Sequence, residues 1–278
     1  MLSTSLDIKP QTSYLVVYSG GAPSCTETVA MVKICAITVL LVLSVLSKTA
    51  DGRKLIPRLL AQKTTCGSFF YNSQVNNDQG WKTVPEECVD GVGAYMEGAQ
   101  FQADASGVST AAEAYLTSIT PTGDGKDIVV FDIDETALSN LPYYRQHKYG
   151  GEAFNSTPFD LWVEEGTAPA VPATLELFNT LIAAKFGVVF LTGRSESQRE
   201  ITVTNLYRAG YKNWTELILK SPEESGTTAV YYKSKKRTEL AEKGYHIYSS
   251  VGDQWSDITG PYVGNRTFKV PNPMYFIA

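Results

Sequence analysis

The sequence predicts a protein of the α/β class, in which helices cover both faces of a parallel sheet. Beyond residue 126, apolar runs typical of buried strands alternate with segments that have helical spacing. Polar residues follow three of these strands, and open α/β sheets bind their ligands at that carboxyl edge. The 278-residue chain is 43% hydrophobic and 19% charged, which is typical of a globular protein. Its length allows one sizeable domain with a small addition.

Four predicted strands and three predicted helices make up the alternation. The strands are residues 127–131, 186–191, 216–219 and 246–251, and the helices are residues 172–184, 196–209 and 233–243. Pro172 near a first turn supports the first helix, and Gly210 and Gly244 stop the other two. Before the alternation, a polar loop is followed by a helical extension that the turn at 120–125 closes. The aromatic-rich insertion at about 138–171 is predicted to form a small cap over a site.

The N-terminal 50 residues are predicted to be a leader rather than part of the domain, which then covers residues 51–278. Residues 34–46 carry no charge, but thirteen residues are too few for a membrane span, which needs about 20. Such a stretch after Lys33 is typical of the apolar part of a secretory signal peptide, and it favours Met31 as the true start. A single anchoring helix is the alternative interpretation of this stretch.

The remaining cysteines and three glycosylation patterns favour a secretory route. Outside the leader, Cys66 and Cys88 are the only cysteines, and in an oxidising compartment they most simply form one disulfide. The pattern Asn-X-Ser/Thr marks candidate N-glycosylation sites at Asn155, Asn213 and Asn265, although Pro158 makes the first a weaker acceptor. These features predict a protein of the secretory pathway.

Three carboxylates follow the first predicted strand within four residues. The stretch KDIVVFDIDET places Asp132, Asp134 and Glu135 there, and their repulsion costs energy unless a cation or a shared reaction offsets it. Residues two apart at a strand end point the same way, so Asp132 and Asp134 can reach one ligand. Asp253 and Asp257 follow the last strand with the spacing of one helical turn. Oxygen ligands of this kind suit Mg²⁺.

Other polar residues supply what a phosphoryl group needs. Thr192, after the second strand, can donate a hydrogen bond to a phosphoryl oxygen, and Lys233 can supply a positive charge. One carboxylate can then act as a nucleophile and form an aspartyl-phosphate. A second carboxylate can protonate the departing alkoxide and later deprotonate water.

Four ordered motifs give the sequence a family resemblance. The motifs are Asp132-Ile-Asp-Glu-Thr136, Leu191-Thr-Gly-Arg194, Lys233-Ser-Lys-Lys-Arg237 and Gly252-Asp-Gln-Trp-Ser-Asp257. They resemble those of the haloacid dehalogenase (HAD) superfamily, and more narrowly its plant acid phosphatases, which are related to vegetative storage proteins and to bacterial class B acid phosphatases. The resemblance runs from about Cys66 to the C-terminus. It implies a Rossmann-like sheet and a phosphoric monoester hydrolase of the cell wall or the vacuole.

The resemblance also implies a role for each matching residue. It makes Asp132 the nucleophile and Asp134 the general acid and base. It assigns phosphate binding to Thr192, Gly193, Arg194 and Lys233, with Arg194 in the phosphate pocket or at its rim. It implies that Mg²⁺ is held by Asp132, the backbone carbonyl of Asp134, Asp253 and, directly or through water, Asp257.

Lys233 and Asp132 each favour one of several alternative interpretations. Lys233 is preferred to Lys235 and Lys236 because it is expected to open its helix. Some storage proteins that this chain resembles have lost the first carboxylate, so the retained Asp132 favours a working enzyme. A vegetative storage glycoprotein with low residual activity is the alternative function. A phosphotransferase that passes phosphate to an alcohol is a third.

The composition excludes several other functions. The net charge of −5 leaves no basic excess for binding nucleic acid. Two histidines cannot supply the ligands of a binuclear metallophosphatase, and neither Cys66 nor Cys88 is followed closely by the arginine that cysteine phosphatases need. The expected partners are small phosphomonoesters, no stable membrane span is expected after signal removal, and a homodimer is compatible with the sequence. Four side chains of the cap could pack or contact substrate, namely Tyr143, Tyr144, His147 and Trp162.

Overall fold

The computed structural model describes residues 66–277, and the centre of that part of the chain is a five-stranded parallel sheet. The strands are β1 (Asp127–Phe131), β2 (Gly187–Ser195), β3 (Glu216–Lys220), β4 (His246–Gly252) and β5 (Arg266–Lys269). Their order across the sheet is β3-β2-β1-β4-β5, so β1 lies in the middle. All the pairings between neighbouring strands are parallel. The predicted α/β fold is therefore confirmed.

Helices precede the sheet and connect its strands. They are α1 (Val89–Glu97), α2 (Ala99–Leu116), α3 (Leu141–Gln146), α4 (Ser156–Glu165), α5 (Pro172–Ala183), α6 (Arg199–Ala209), α7 (Ala229–Glu242) and α8 (Trp255–Ile258). Residues 66–74 are also helical. The helices α3 and α4 lie in the insertion between β1 and α5, the region that the sequence predicts to be a cap.

The strand β1 is buried along its whole length because strands flank it on both sides and helices cover both faces. On one face, the Phe131 ring lies 6.5 Å from that of Phe178 in α5 and 6.3 Å from that of Phe190 in β2, measured between ring centroids. On the other face, Val130 belongs to a cluster with Tyr232 of α7. Burial of each large apolar side chain contributes about 1.5–3 kcal/mol. The carboxyl end of this strand is thereby fixed at the centre of one sheet edge.

Several elements differ from the predicted ones, and three of the differences bear on the site. The strand β2 continues through Ser195, so Thr192 and Arg194 lie within the strand and not after it. The helix α7 begins at Ala229, because the Thr228 side chain caps it by accepting a hydrogen bond from the Tyr231 N–H. The strand β5 was not predicted, since its four residues include two charged ones and give no apolar run.

A disulfide fastens the start of the N-terminal extension. Cys66 and Cys88 form the predicted bond, with their Cα atoms 5.3 Å apart. Phe69 and Met96 of this extension pack in one cluster with Tyr144 of α3 and with Met274 near the C-terminus. Among the residues that the structure describes, no helix has both the length and the apolar character needed to cross a membrane.

Candidate active site

The carboxyl ends of β1, β2 and β4 bring the predicted site residues together. Asp132 follows β1 directly, and its N–H donates to the Val251 carbonyl of β4 at 3.0 Å. Thr192 lies at the same edge in β2, and Asp253 follows β4. The Thr192 hydroxyl lies 3.4 Å from Asp134 Oδ2, and the Thr136 hydroxyl accepts from the Asp253 N–H at 2.9 Å. Residues far apart in the sequence therefore meet at one edge of the sheet.

Asp132, Asp253 and Asp257 form a buried cluster that we call the acidic cluster. One carboxylate oxygen from each lies within 4.8 Å of the other two. Lys233 lies among them, with its Nζ atom 2.5 Å from Asp132 Oδ1 and in contact with Asp257 Oδ1. Lys233 contacts this cluster directly, and the charges of Lys269 and Arg237 attract Asp253 and Asp257 from farther away. Three buried carboxylates that converge with hard oxygen donors fit a divalent cation such as Mg²⁺.

The surroundings of the acidic cluster perturb its proton affinities. Burial raises the pKa of Asp132 well above its usual range, against the opposing effect of the Lys233 ammonium, and the neighbouring carboxylates raise it further. Burial also works against the charge of Lys233, but Asp132 and Asp257 outweigh it and raise the lysine pKa. Lys233 therefore stays charged at any physiological pH. A cation bound at the cluster would favour the ionised form of Asp132.

Asp253 has one carboxylate oxygen saturated and the other nearly free. Its Oδ2 atom accepts hydrogen bonds from Gln254 Nε2 at 2.6 Å and from Asn272 Nδ2 at 2.7 Å. Its Oδ1 atom has one long contact, 3.4 Å to the Thr136 hydroxyl. Burial and then the charge of Asp257 raise the pKa of Asp253 to about 6, despite the two amide donors. A buried carboxylate oxygen that lacks a close donor is what a metal ligand requires.

Asp134 lies outside the acidic cluster and is paired with Arg194. The guanidinium donates from Nη2 to Asp134 Oδ1 at 2.8 Å and from Nε to both carboxylate oxygens at 3.1 and 3.2 Å. Burial favours the neutral acid, but the charge and hydrogen bonds of Arg194 outweigh it and lower the pKa of Asp134. Arg194, expected in the phosphate pocket or at its rim, is buried beside this carboxylate. The neighbouring Gly193 is exposed, and no atom would crowd a side chain there.

Asn140 links Asp134 to the insertion, and the sequence analysis missed it. Its Nδ2 atom donates to Asp134 Oδ1 at 2.9 Å, and its Oδ1 atom accepts from the Trp162 indole at 3.0 Å. Glu135, which is fully buried and has a left-handed φ of 58°, accepts from the Asn140 backbone N–H at 2.6 Å. Burial raises the pKa of Glu135 well above its usual range. Glu135 and Asn140 thus set the turn that leads from β1 into the insertion.

The lysines that open the third motif have separate roles. Lys233 is 6% exposed and points into the acidic cluster, whereas Lys235 and Lys236 pair with Glu224 at 3.1 and 2.8 Å. The preference for Lys233 over its neighbours agrees with these positions. The expectation that Lys233 opens its helix is wrong, since Lys233 lies in the second turn of α7 and not at its start.

Aromatic side chains of the insertion and of the C-terminal segment line a cavity of about 230 Å³. Tyr144 stacks on Tyr275 with 5.0 Å between ring centroids, and Tyr143 stacks on His147 at 4.1 Å. Burial raises the pKa of Tyr144, and the charges of Glu135 and other site carboxylates add to the increase. Of the four side chains expected to pack or to contact substrate, Tyr143, Tyr144 and His147 pack on their neighbours and also line this cavity. Trp162 packs against the two core clusters and binds Asn140 instead. Tyr275 was missed because no sequence motif contains it.

A comparison with models of known protein families identifies the family of this chain. The family model described as HAD superfamily, subfamily IIIB (Acid phosphatase) matches residues 53–278. The chain belongs to this family. The resemblance drawn from the four motifs is confirmed, and the expected phosphoric monoester hydrolase is the activity that the family carries.

This chain of the HAD-type acid phosphatase family is similar to proteins named as enzymes and to proteins named as storage proteins. Acid phosphatase 1 of Solanum lycopersicum is 45% identical over 218 residues, covering 78% of this chain and 86% of that protein. Vegetative storage protein 1 of Arabidopsis thaliana is 36% identical over 214 residues, covering 76% and 78%. The class C acid phosphatase from Bacillus anthracis shares the fold with a TM-score of 0.56 at 23% identity, covering 66% of this chain and 82% of that one.

Several observations support the prediction that the protein enters the secretory pathway. The disulfide is typical of an oxidising compartment. The relative named stem 28 kDa glycoprotein of Glycine max is 44% identical over 214 residues, covering 76% of this chain and 84% of that protein. The side chains of Asn155, Asn213 and Asn265 are all exposed, so each is accessible to modification. The predicted leader lies outside the described residues.

Proposed function

We propose that this chain is a Mg²⁺-dependent acid phosphatase that hydrolyses phosphate monoesters through an aspartyl-phosphate on Asp132. The observation that carries the proposal is the pair of carboxylates at the end of β1. Asp132 faces Lys233 and the acidic cluster, whereas Asp134 faces Arg194 and Asn140. Two carboxylates in unlike surroundings can take unlike roles in one reaction.

The metal would be held by the acidic cluster. Asp132, Asp253 and Asp257 supply carboxylate oxygens, and the backbone carbonyl of Asp134 completes the ligands implied by the family. When bound, Mg²⁺ neutralises charge on the phosphoryl oxygens and holds the phosphate beside the nucleophile.

The remaining chemistry belongs to side chains of this protein. The Lys233 ammonium and the Thr192 hydroxyl bind phosphoryl oxygens, which leaves the phosphorus facing Asp132. An Asp132 oxygen attacks phosphorus, the ester P–O bond breaks, and the departing alkoxide takes a proton from Asp134. Asp134 then removes a proton from water, the water oxygen attacks the aspartyl-phosphate, and Asp132 leaves as carboxylate with release of inorganic phosphate.

Asp134 must carry a proton in the first step although Arg194 lowers its pKa. Two effects favour the protonated form. An acidic medium supplies the proton, and a bound phosphate brings negative charge next to Asp134, which raises the carboxyl pKa. This requirement agrees with activity in acid.

Removal of metal tests the proposal directly. We expect EDTA to abolish hydrolysis of nitrophenyl phosphate and added Mg²⁺ to restore it, because the acidic cluster without a cation repels the phosphate dianion. The assay runs at pH 5 to 7 on protein whose metal content is measured. Full activity in verified metal-free protein would overturn the metal assignment.

A storage glycoprotein with low residual activity is the second candidate, and it is favoured by the relatives named as storage proteins. The turnover number separates the two functions. Typical enzymes turn over at about 1–10³ s⁻¹. A value far below this range, together with high abundance in tissue, would favour storage.

We propose a leader at residues 1–50 with Met31 as the start, and an acid phosphatase domain at 51–278 with its cap at about 138–171. The mature protein would reach the cell wall or the vacuole. N-terminal sequencing of secreted protein locates the cleavage site. A homodimer stays a prediction, which light scattering of the purified protein would test.

A further inference from the structure

The segment that follows β5 returns to the site and contacts Asp253. Asn272, which is 3% exposed, donates from Nδ2 to Asp253 Oδ2 at 2.7 Å. Its own Oδ1 atom accepts from the Met274 backbone N–H at 2.9 Å. Since that N–H needs an acceptor, the amide of Asn272 has one satisfactory orientation, with the nitrogen towards Asp253.

A second amide is fixed in the same way. Gln254 Nε2 donates to the same Asp253 oxygen at 2.6 Å, while Gln254 Oε1 accepts from the Ile277 backbone N–H at 2.9 Å. Both amides therefore hold Asp253 by Oδ2 and are themselves oriented by backbone groups of residues 274–277. This arrangement leaves Asp253 Oδ1 turned away from them, with only the long contact to Thr136.

Gln74, in the helical residues 66–74, holds this segment in place. Its side chain makes two hydrogen bonds to the backbone of Asn272, both of 3.0 Å, by accepting from the N–H and donating to the carbonyl. Gln74 Oε1 also accepts from Lys269 Nζ at 3.1 Å, and the Gln74 carbonyl accepts from the Trp255 indole at 3.1 Å. One residue of the extension thus fastens β5, α8 and Asn272.

We propose that Asn272 is a positioning residue that orients Asp253 for Mg²⁺, and that Gln74 supports the cation site by holding Asn272. The inference rests on the proposed metal site. Asn272 saturates Oδ2 and so directs Oδ1 to the acidic cluster. Partners that orient a metal ligand typically contribute 10–100-fold to metal affinity or activity.

Calorimetric titration of Mg²⁺ into the full-length secreted protein, after metal removal by chelation, tests the proposal. We expect Asn272→Ala to raise the Mg²⁺ dissociation constant about 10–100-fold. Gln74→Ala leaves the amide of Asn272 intact but loosens its backbone, so we expect a smaller rise of about 3–10-fold, below the range for a direct partner of the ligand. In both variants, higher Mg²⁺ concentration should restore phosphatase activity, which a merely structural defect would not allow.

Asn205→Ala is the matched control. Asn205 is 2% exposed and makes one accepted and one donated hydrogen bond with the backbone of Ala168, at 3.1 and 2.7 Å. We expect this variant to lose stability as Asn272→Ala does but to bind Mg²⁺ as the wild type does. If Asn272→Ala fails to fold, Gln74→Ala decides the matter.

The outcomes separate this inference from the proposed function. A wild-type protein that does not bind Mg²⁺ refutes the metal site and the inference with it. A wild type that binds Mg²⁺, beside a folded Asn272→Ala or Gln74→Ala variant of unchanged affinity, refutes the positioning role alone. An equal loss of affinity in Asn205→Ala would also refute it, since the effect would then be general.

Discussion

Asp132 and Asp134 are two positions apart, but their surroundings shift their pKa values in opposite directions. Burial raises the pKa of Asp132, and Arg194 lowers that of Asp134. These directions are the reverse of what a nucleophile and an acid need. In the proposed mechanism, a cation in the acidic cluster would favour the ionised form of Asp132, and a phosphate dianion would favour the protonated form of Asp134. The proposed roles therefore require both ligands to be bound.

The division of labour between these residues gives a prediction about leaving groups. Asp132→Asn should abolish turnover of every substrate, because an amide cannot form the acyl-phosphate. Asp134→Asn should still be phosphorylated by nitrophenyl phosphate, since nitrophenol hardly needs a proton to leave. The variant should release one burst of nitrophenol and then stall, because no base activates water. With an alkyl phosphate, phosphorylation should fall about 10²–10⁴-fold.

Rapid-quench measurement of both variants checks this prediction. Wild-type protein with the same two substrates is the control for the leaving-group effect. A burst from Asp132→Asn would mean that another group is the nucleophile. Equal losses of phosphorylation rate for both leaving groups in Asp134→Asn would remove its role as acid.

At the scale of single elements, Glu224 connects the turn after β3 to α7. It is 8% exposed and accepts from Lys235, Lys236 and the Ser221 N–H. Burial opposes its charge, but the hydrogen bonds from Lys236 and Lys235 outweigh it and lower the pKa to about 2. The ionised Glu224 therefore stabilises the middle of α7, the helix that carries Lys233.

Glu224→Gln should destabilise the protein in a pH-dependent way. A lowered folded-state pKa adds stability above the unfolded-state pKa of about 4.3 and loses it as the pH falls towards 2. We expect the variant to lose on the order of 1–2 kcal/mol of unfolding free energy at pH 7, and the difference should shrink between pH 4.5 and 2. Urea denaturation at several pH values measures it. Glu113→Gln, an exposed position of α2, is the control, and a difference that persists at pH 2 would contradict the prediction.

The elements also show what a sequence can predict. Apolar runs such as DIVVF determine strands because burial on both faces requires them, and helix-stopping glycines are local signals. The start of α7 at Ala229 was missed because its first turn, AVYY, is apolar throughout and shows no helical alternation. Arg194 is long enough to reach a phosphate or Asp134, so spacing alone does not select its partner. Asn272 and Tyr275 follow a strand that was not predicted, and their contacts depend on the tertiary fold.

At the scale of the whole molecule, the disulfide closes a loop at the start of the N-terminal extension. Cys66 and Cys88 are 22 positions apart, and a loop of this size restricts the unfolded chain by about 3 kcal/mol in the entropy model. We expect Cys66→Ala/Cys88→Ala to lose about that much unfolding free energy. Denaturant titration measures the loss.

Reduced and alkylated wild-type protein is the control for that measurement, and it should match the double variant. A loss below about 1 kcal/mol would show that the bond constrains little of the unfolded chain. Peptide mapping that finds both thiols free would refute the bond itself and weaken the secretory assignment.

The parallel sheet with β1 in its middle also governs how the protein acquires activity in time. Lys233 and Asp132 are 101 positions apart, and Thr136 and Asp253 are 117 apart, yet each pair is in hydrogen-bond contact. Such long-range pairings slow folding, because each requires closure of a long loop before it contributes. Helices can therefore form early in a refolding chain while the site is still open. Phosphatase activity should return only in the last kinetic phase of refolding. The rate at which activity is regained therefore reports the rate at which the sheet is completed.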